Sequence, residues 1–258
     1  MITKNRLFTT ILISLSGLIL VVLISFFTPI AFTGINKDSF YPYIWLFLTE
    51  TGGTIGMPIG TAIILLLILK KNTALQTLKS FGLGLTFILI CTVCLAKVNE
   101  HNLKQVTNSP RPYALILEEH KLLNLENFYG ENSTKLSRSI ELNSVLLGEQ
   151  VSPHIKNIHP LVLKHWAFET GFSFPSGHAF ISFWIATLLT YLFLDSSFPL
   201  LKLGVLVFVG WAALVAISRV AIGAHSALDV SVGGLMGVAI AYLVILTGVF
   251  NKLMIKKP

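Results

Sequence analysis

The sequence predicts an all-α, polytopic integral membrane protein with six transmembrane helices and a helical periplasmic insertion between the third and fourth. Three observations carry that expectation. Apolar residues make up 53% of the 258 positions and charged residues only 12%, about half the charged share of a soluble domain. The apolar residues gather into six runs long enough to cross a bilayer, which takes about 20 residues each. The cations behind the net charge of +7 cluster in short stretches between those runs. That distribution is topogenic and argues against a nucleic-acid surface, so the expected partner is the lipid bilayer.

The first run, 7–32, follows Lys4 and Arg6 and is too long for a signal-peptide core, so it is expected to stay as a helix. The second, 43–70, is interrupted by Gly52, Gly53, Gly56, Pro58 and Gly60, and its first part is expected to kink or turn at the interface. The third, 79–99, carries Cys91 and Cys94. Their C-x-x-C spacing lacks the polar setting of a redox or zinc pair, and they read as buried small apolar residues. Runs at 178–195, 199–219 and 227–250 complete the set.

Residues 101–173 form the one large polar stretch, with seven of the twelve acids and five of the seven histidines. It is amphipathic and punctuated by proline, so short helices packed on the membrane core are expected. The chain 1–258 therefore reads as one membrane domain with 101–173 as an extracytoplasmic insertion. Lys4, Arg6, Lys70, Lys71, Lys79, Lys202, Lys252, Lys256 and Lys257 all fall on one side of the alternating runs, while the opposite short loops carry only Lys37 and Arg219. Both termini are therefore predicted to be cytoplasmic.

Three motifs sit at run ends, all on the far face in that topology. They are Lys104-x6-Arg111-Pro112, Pro175-Ser176-Gly177-His178, and Ser218-Arg219-x5-His225-x3-Asp229. Ionisable residues at membrane depth are costly, which makes such a cluster a functional candidate. His225 and Asp229 are four apart and share a helix face. The carboxylate can hold the Nδ1 proton and leave Nε2 free as a nucleophile. Ser226-x-x-Asp229 also reads as a plain capping box.

Pro175-Ser176-Gly177-His178 opens a helix whose free N–H groups suit a phosphate oxygen. His178 is placed there as a general acid. Lys104, Arg111 and Arg219 supply positive charge, the arginines as bidentate forks. Pro110 and Pro112 favour extended backbone around Arg111.

All three motifs, complete and in order, resemble the type-2 phosphatidic acid phosphatase superfamily across about residues 90–245. The run from His165 to His178 is most similar to its bacterial phosphatidylglycerophosphatase B branch. The resemblance implies metal-independent hydrolysis of phosphate or pyrophosphate groups on membrane lipids such as phosphatidylglycerophosphate, undecaprenyl pyrophosphate and phosphatidic acid. It implies His225 as nucleophile, His178 as acid and Asp229 as orienting carboxylate. Lys104, Arg111, Ser176, Gly177 and Arg219 become the phosphate ligands, no metal or cofactor is expected, and the implied location is the bacterial inner membrane with the site facing the periplasm.

Two alternatives stand beside this. One is a lipid phosphotransferase that passes phosphate from undecaprenyl pyrophosphate to lipid A. The other is a silent lipid-binding protein or a transporter, disfavoured because the polar residues sit at helix ends and no repeat is visible. His154, His159 and His165 lack zinc spacing and read as solvated loop residues. Glu169 reads as a surface carboxylate, with contact to His178 or a head group as the alternative. Tyr113, Trp166, Phe172 and Phe174 read as an acyl entrance or as interfacial anchors.

Overall fold

The structure, a computed structural model, describes residues 4–53, 56, 60, 75–130, 133–147, 153–194 and 199–254. Helix α1 spans Lys4–Phe27, α2 Tyr41–Thr51 and α3 Leu75–Val98. A π-turn at Asn99–Leu103 then leads into α4, Lys104–Thr107. The intervening segment holds α5 Pro112–Glu119, α6 Leu125–Phe128, α7 Lys135–Leu147, α8 Pro153–Lys156 and α9 Pro160–Phe168. The chain closes with α10 Gly177–Leu194, α11 Pro199–Ala221, α12 Ala227–Leu246 and α13 Val249–Met254. Among the described residues there is no strand, only an isolated bridge between Asn36 and Ile158.

Five described helical stretches are long and apolar enough to cross a membrane. They are Lys4–Phe27, Gly82–Glu119, Gly177–Leu194, Gly204–Ala221 and Ala227–Leu246. Most of the expected second crossing, 43–70, lies outside the described residues; its described part is α2. Helix α1 stops five residues short of the expected end at 32, because Pro29 disfavours helical backbone in the residue before it.

Helix α10 is the centre of the bundle. It packs against α11, α12 and α1, and α1 in turn lies against α11 and α12. Its apolar residues point in every direction, and nearly all are buried. A helix apolar all round belongs in the interior or in lipid. Around it, Phe8, Leu12, Ile19 and Leu23 of α1, and Leu206, Val207 and Leu214 of α11, stay exposed in the manner of lipid-facing surface.

The segment between α3 and α10 builds a core of its own. Tyr113, Leu117, Phe128, Leu142, Ile155, Val162 and Trp166 are buried together, and Ile222 and Ala224 after α11 join them. The short amphipathic helices expected in 101–173 are therefore present. The aromatics divide: Tyr113 and Trp166 are fully buried and stacked with centroids 5.0 Å apart, so they are neither entrance nor anchor. Cys91 and Cys94 are free thiols, and neither is buried as expected: Cys91 is half-buried and Cys94 exposed.

Candidate active site

Four helix ends meet at one end of the bundle: the C-terminal extension of α3, the start of α10, the end of α11 and the start of α12. Each contributes charged or polar side chains that are buried, including Lys104, Arg111, Ser176, Arg219, His225 and Asp229. Residues that the sequence separates by more than a hundred positions come within hydrogen-bond reach here.

Arg111 is the organiser. Its backbone is extended (φ −75°, ψ 146°), as the proline that follows it favours, and α5 begins directly after it. Its Nε donates to Gly171 O at 2.8 Å, and Nη1 donates to Ala224 O at 3.0 Å. The same Nη1 lies 3.0 Å from Glu169 Oε2 and 3.4 Å from His225 Nε2. Lys104 lies 2.9 Å from Glu100 one helical turn back, and Glu100 also pairs with Lys135 of α7.

Ser176 and Gly177 sit at the start of α10, close against α12. Ser176 N–H donates to the backbone carbonyl of Asp229 at 3.0 Å. A Cβ on Gly177 would come 3.2 Å from Asn99 Nδ2, so the small residue lets the α3 extension approach. His178, one residue further, holds its Nε2 3.9 Å from Glu169 Oε1.

Asp229 bears out the capping box and also stands near His225. It closes the capping box of α12, accepting the Ser226 N–H at 2.6 Å while Ser226 Oγ accepts the Asp229 N–H at 3.2 Å. Its Oδ2 also lies 3.6 Å from His225 Nδ1. His225 is buried, and burial together with Arg111 and Arg219 holds its pKa below the ordinary imidazole value against the opposing pull of Asp229. The ring is therefore neutral at physiological pH.

Two residues read as peripheral in the sequence are corrected to the centre of the site. Glu169 is no surface carboxylate. It accepts from Arg111 and, through the same oxygen, from Arg219 Nη2. Burial alone would raise its pKa, yet Arg219 and Arg111 outweigh burial and hold it well below the usual carboxylate range. His165 is not solvated either. It is buried, with Nε2 2.9 Å from Arg219 Nη1, and burial beside that guanidinium lowers its pKa to about 4. His159 is also buried, serving as the N-cap of α9 with Nδ1 accepting from Leu161 N–H at 3.2 Å. The side chain of His154 is outside the described set.

Ser173 escaped the sequence reading altogether. It lies in the loop before α10, fully buried, with its hydroxyl against both His225 and Asp229. Among the described residues no group of three or more His, Cys, Asp or Glu is arranged to hold a metal ion.

A helical membrane protein with buried cations, two histidines and a carboxylate gathered at its helix ends is equipped to hold a phosphate group, and its relatives make it a lipid phosphatase. The chain matches the PAP2 superfamily over residues 81–252, and it belongs to that superfamily. It is 30% identical over 200 residues to phosphatidylglycerophosphatase B of Haemophilus influenzae, covering 74% of this chain and 76% of that protein. It is 31% identical over 148 residues to phosphatidylglycerophosphatase B of Escherichia coli, covering 54% of this chain and half of that protein.

Proposed function

We propose that this protein hydrolyses phosphate monoester and pyrophosphate groups on membrane lipids through a phosphohistidine, without a metal ion. Phosphatidylglycerophosphate, phosphatidic acid and undecaprenyl pyrophosphate are the proposed substrates. The observation that carries the reading is the convergence of Arg111, Arg219 and His178 on the Glu169 carboxylate, with the neutral His225 against the Arg111 guanidinium. A carboxylate held by two guanidinium forks marks where a phosphate oxygen is best stabilised. The names carried by the Haemophilus influenzae and Escherichia coli relatives support the lipid class.

In this reading His225 Nε2 attacks phosphorus while the bond to the leaving oxygen breaks, and His178 protonates that oxygen. Water then attacks the phosphohistidine, His178 takes up its proton, and inorganic phosphate departs with His225 restored. Lys104, Arg111, Arg219, Ser176 and the Gly177 N–H bear the charge on the transferring group. Such positioning and charge stabilisation supply most of the catalysis in phosphoryl transfer. Among the described residues Arg219 Nε is buried without an acceptor, a donor that a substrate oxygen would satisfy. The proposed setting is a bacterial inner membrane with both termini cytoplasmic, the 101–173 insertion outside, and the site facing the periplasm.

Purified protein in detergent with chelator is expected to release phosphate from these lipids, and His225→Ala is expected to reduce release to background. Undiminished turnover in that variant removes the nucleophile assignment, and an inert wild type across the panel removes the function.

A further inference from the structure

Ser173 belongs to none of the three motifs, yet its hydroxyl joins two of their residues. Its Oγ lies 3.2 Å from His225 Nδ1 and donates a hydrogen bond to Asp229 Oδ2. The direct Nδ1–Oδ2 separation is 3.6 Å, beyond ordinary hydrogen-bond range. The carboxylate and the imidazole are therefore connected through the serine.

Counting protons fixes the direction of each bond. An ionised carboxylate only accepts, and a serine hydroxyl has a single proton to give. That proton goes to Asp229. The remaining Ser173 lone pairs face His225, so Nδ1 must carry the ring hydrogen and Nε2 the free lone pair. Arg111 is consistent with the same tautomer. A guanidinium can only donate, and its Nη1, whose two hydrogens face Ala224 O and Glu169 Oε2 at 3.0 Å, lies 3.4 Å from Nε2, a neighbour that suits a lone pair there better than a second N–H.

We propose that Ser173 is a positioning residue of the reaction, a hydroxyl bridge that fixes the His225 tautomer and couples the ring to Asp229. The inference rests on the reading of His225 as the nucleophile. As the bond from Nε2 to phosphorus forms, the ring becomes cationic. Nδ1 keeps its hydrogen throughout, Ser173 keeps its own, and no proton travels along the bridge. The aligned O–H dipole carries the influence of the Asp229 charge to the ring. In this respect the bridge does for His225 what a directly bonded carboxylate does in a hydrolytic triad.

The loop holds the serine firmly. Ser173 N–H donates to Ser109 O at 2.8 Å. Thr107 Oγ1 donates to Phe174 O at 2.8 Å, and Asn99 Nδ2 donates to Pro175 O at 3.4 Å. All three anchors come from the stretch that carries Lys104 and Arg111. The bridge and the phosphate-binding cations therefore share one scaffold.

The test is a double-mutant cycle on phosphatidic acid in detergent with chelator, using wild type, Ser173→Ala, Asp229→Asn and the double variant. Thermal melting and size-exclusion elution report folding. Ser173→Ala is expected to lower kcat by about 10–100-fold, the usual scale for groups that orient a reacting histidine or ligand, with KM nearly unchanged. In the Asp229→Asn background the same change is expected to cost less than about threefold, since both residues act on one ring. Ser173→Cys keeps the volume with a much weaker donor and is expected to lose at least about tenfold, so the test survives a poorly folded alanine variant.

Full kcat in either Ser173 variant, or fully multiplicative losses in the double variant, overturns the bridge alone. A wild type that releases no phosphate overturns the functional reading and the bridge with it.

Discussion

On the proposed function, Glu169 occupies the ground on which a phosphate would stand. It is an anion throughout the physiological range, because Arg219 and Arg111 outweigh the effect of its burial. A phosphate entering the site competes with it for both guanidinium groups. Glu169→Gln keeps the shape and removes the charge, leaving two cations short of a counter-ion. Inhibition by orthophosphate is then expected to tighten by about tenfold, equivalent to about 1.4 kcal/mol. The melting temperature should fall, since a buried ion cluster loses one member. Orthophosphate inhibition that is unchanged or weaker would sink the competition argument. At this scale the motif residues were legible, because a charge or a histidine at the end of an apolar run stands out. Glu169 and Ser173 were not, because they lie in an irregular stretch with no periodicity to separate an inward side chain from a solvated one, and His165 was not, because its helix α9 is only 9 residues long. The one available signal was their proximity to Pro175-Ser176-Gly177-His178.

Helix α12 approaches α10 closely because of two glycines four residues apart. A Cβ on Gly233 would lie 2.4 Å from the carbonyl oxygen of Ser176, and one on Gly237 2.3 Å from that of Phe180. Both contacts are with backbone, which cannot swing aside. Small residues at this spacing let helices in a membrane pack at short range. The two positions should nonetheless fail differently. Gly233→Ala presses on the start of α10 and displaces Ser176, so kcat/KM is expected to fall by more than about tenfold with the fold retained. Gly237→Ala presses on the middle of α10 and should lower the melting temperature more than Gly233→Ala does. Gly210, with nothing among the described residues within 4 Å of an added Cβ, is the control, and Gly210→Ala should leave both readouts unchanged. Equal activity in the Gly233 and Gly210 variants would refute the packing argument. Run lengths in the sequence revealed the helices well, whereas their contacts were hidden. A glycine in an apolar run looks the same whether it faces lipid or another backbone.

At the scale of the molecule, the site and the chain's amino terminus lie at opposite ends of α10. Its first turn carries Ser176, Gly177 and His178, while its last turn is capped by Arg6, whose Nε donates to Tyr191 O at 2.7 Å. Phe250 of α13 packs near the same tyrosine ring, with centroids 6.3 Å apart, so the carboxy-terminal helix shares that end. Eighteen residues of helix span about 27 Å, close to the thickness of a bilayer's hydrocarbon core. Arg6 was read in the sequence as a topogenic charge, and its capping contact was invisible there because its partner is 185 positions away. The charge bias and the helix geometry are independent, and both separate the termini from the motif face. With Cys91 and Cys94 replaced by alanine, single cysteines can be introduced at exposed positions on each side. In intact bacterial cells a membrane-impermeant thiol reagent is expected to label Lys37→Cys and Glu119→Cys. Lys252→Cys should label only after the membrane is permeabilised. The reverse pattern would put the site on the cytoplasmic face and overturn the orientation, while labelling of all three from outside would remove α10 as a full crossing.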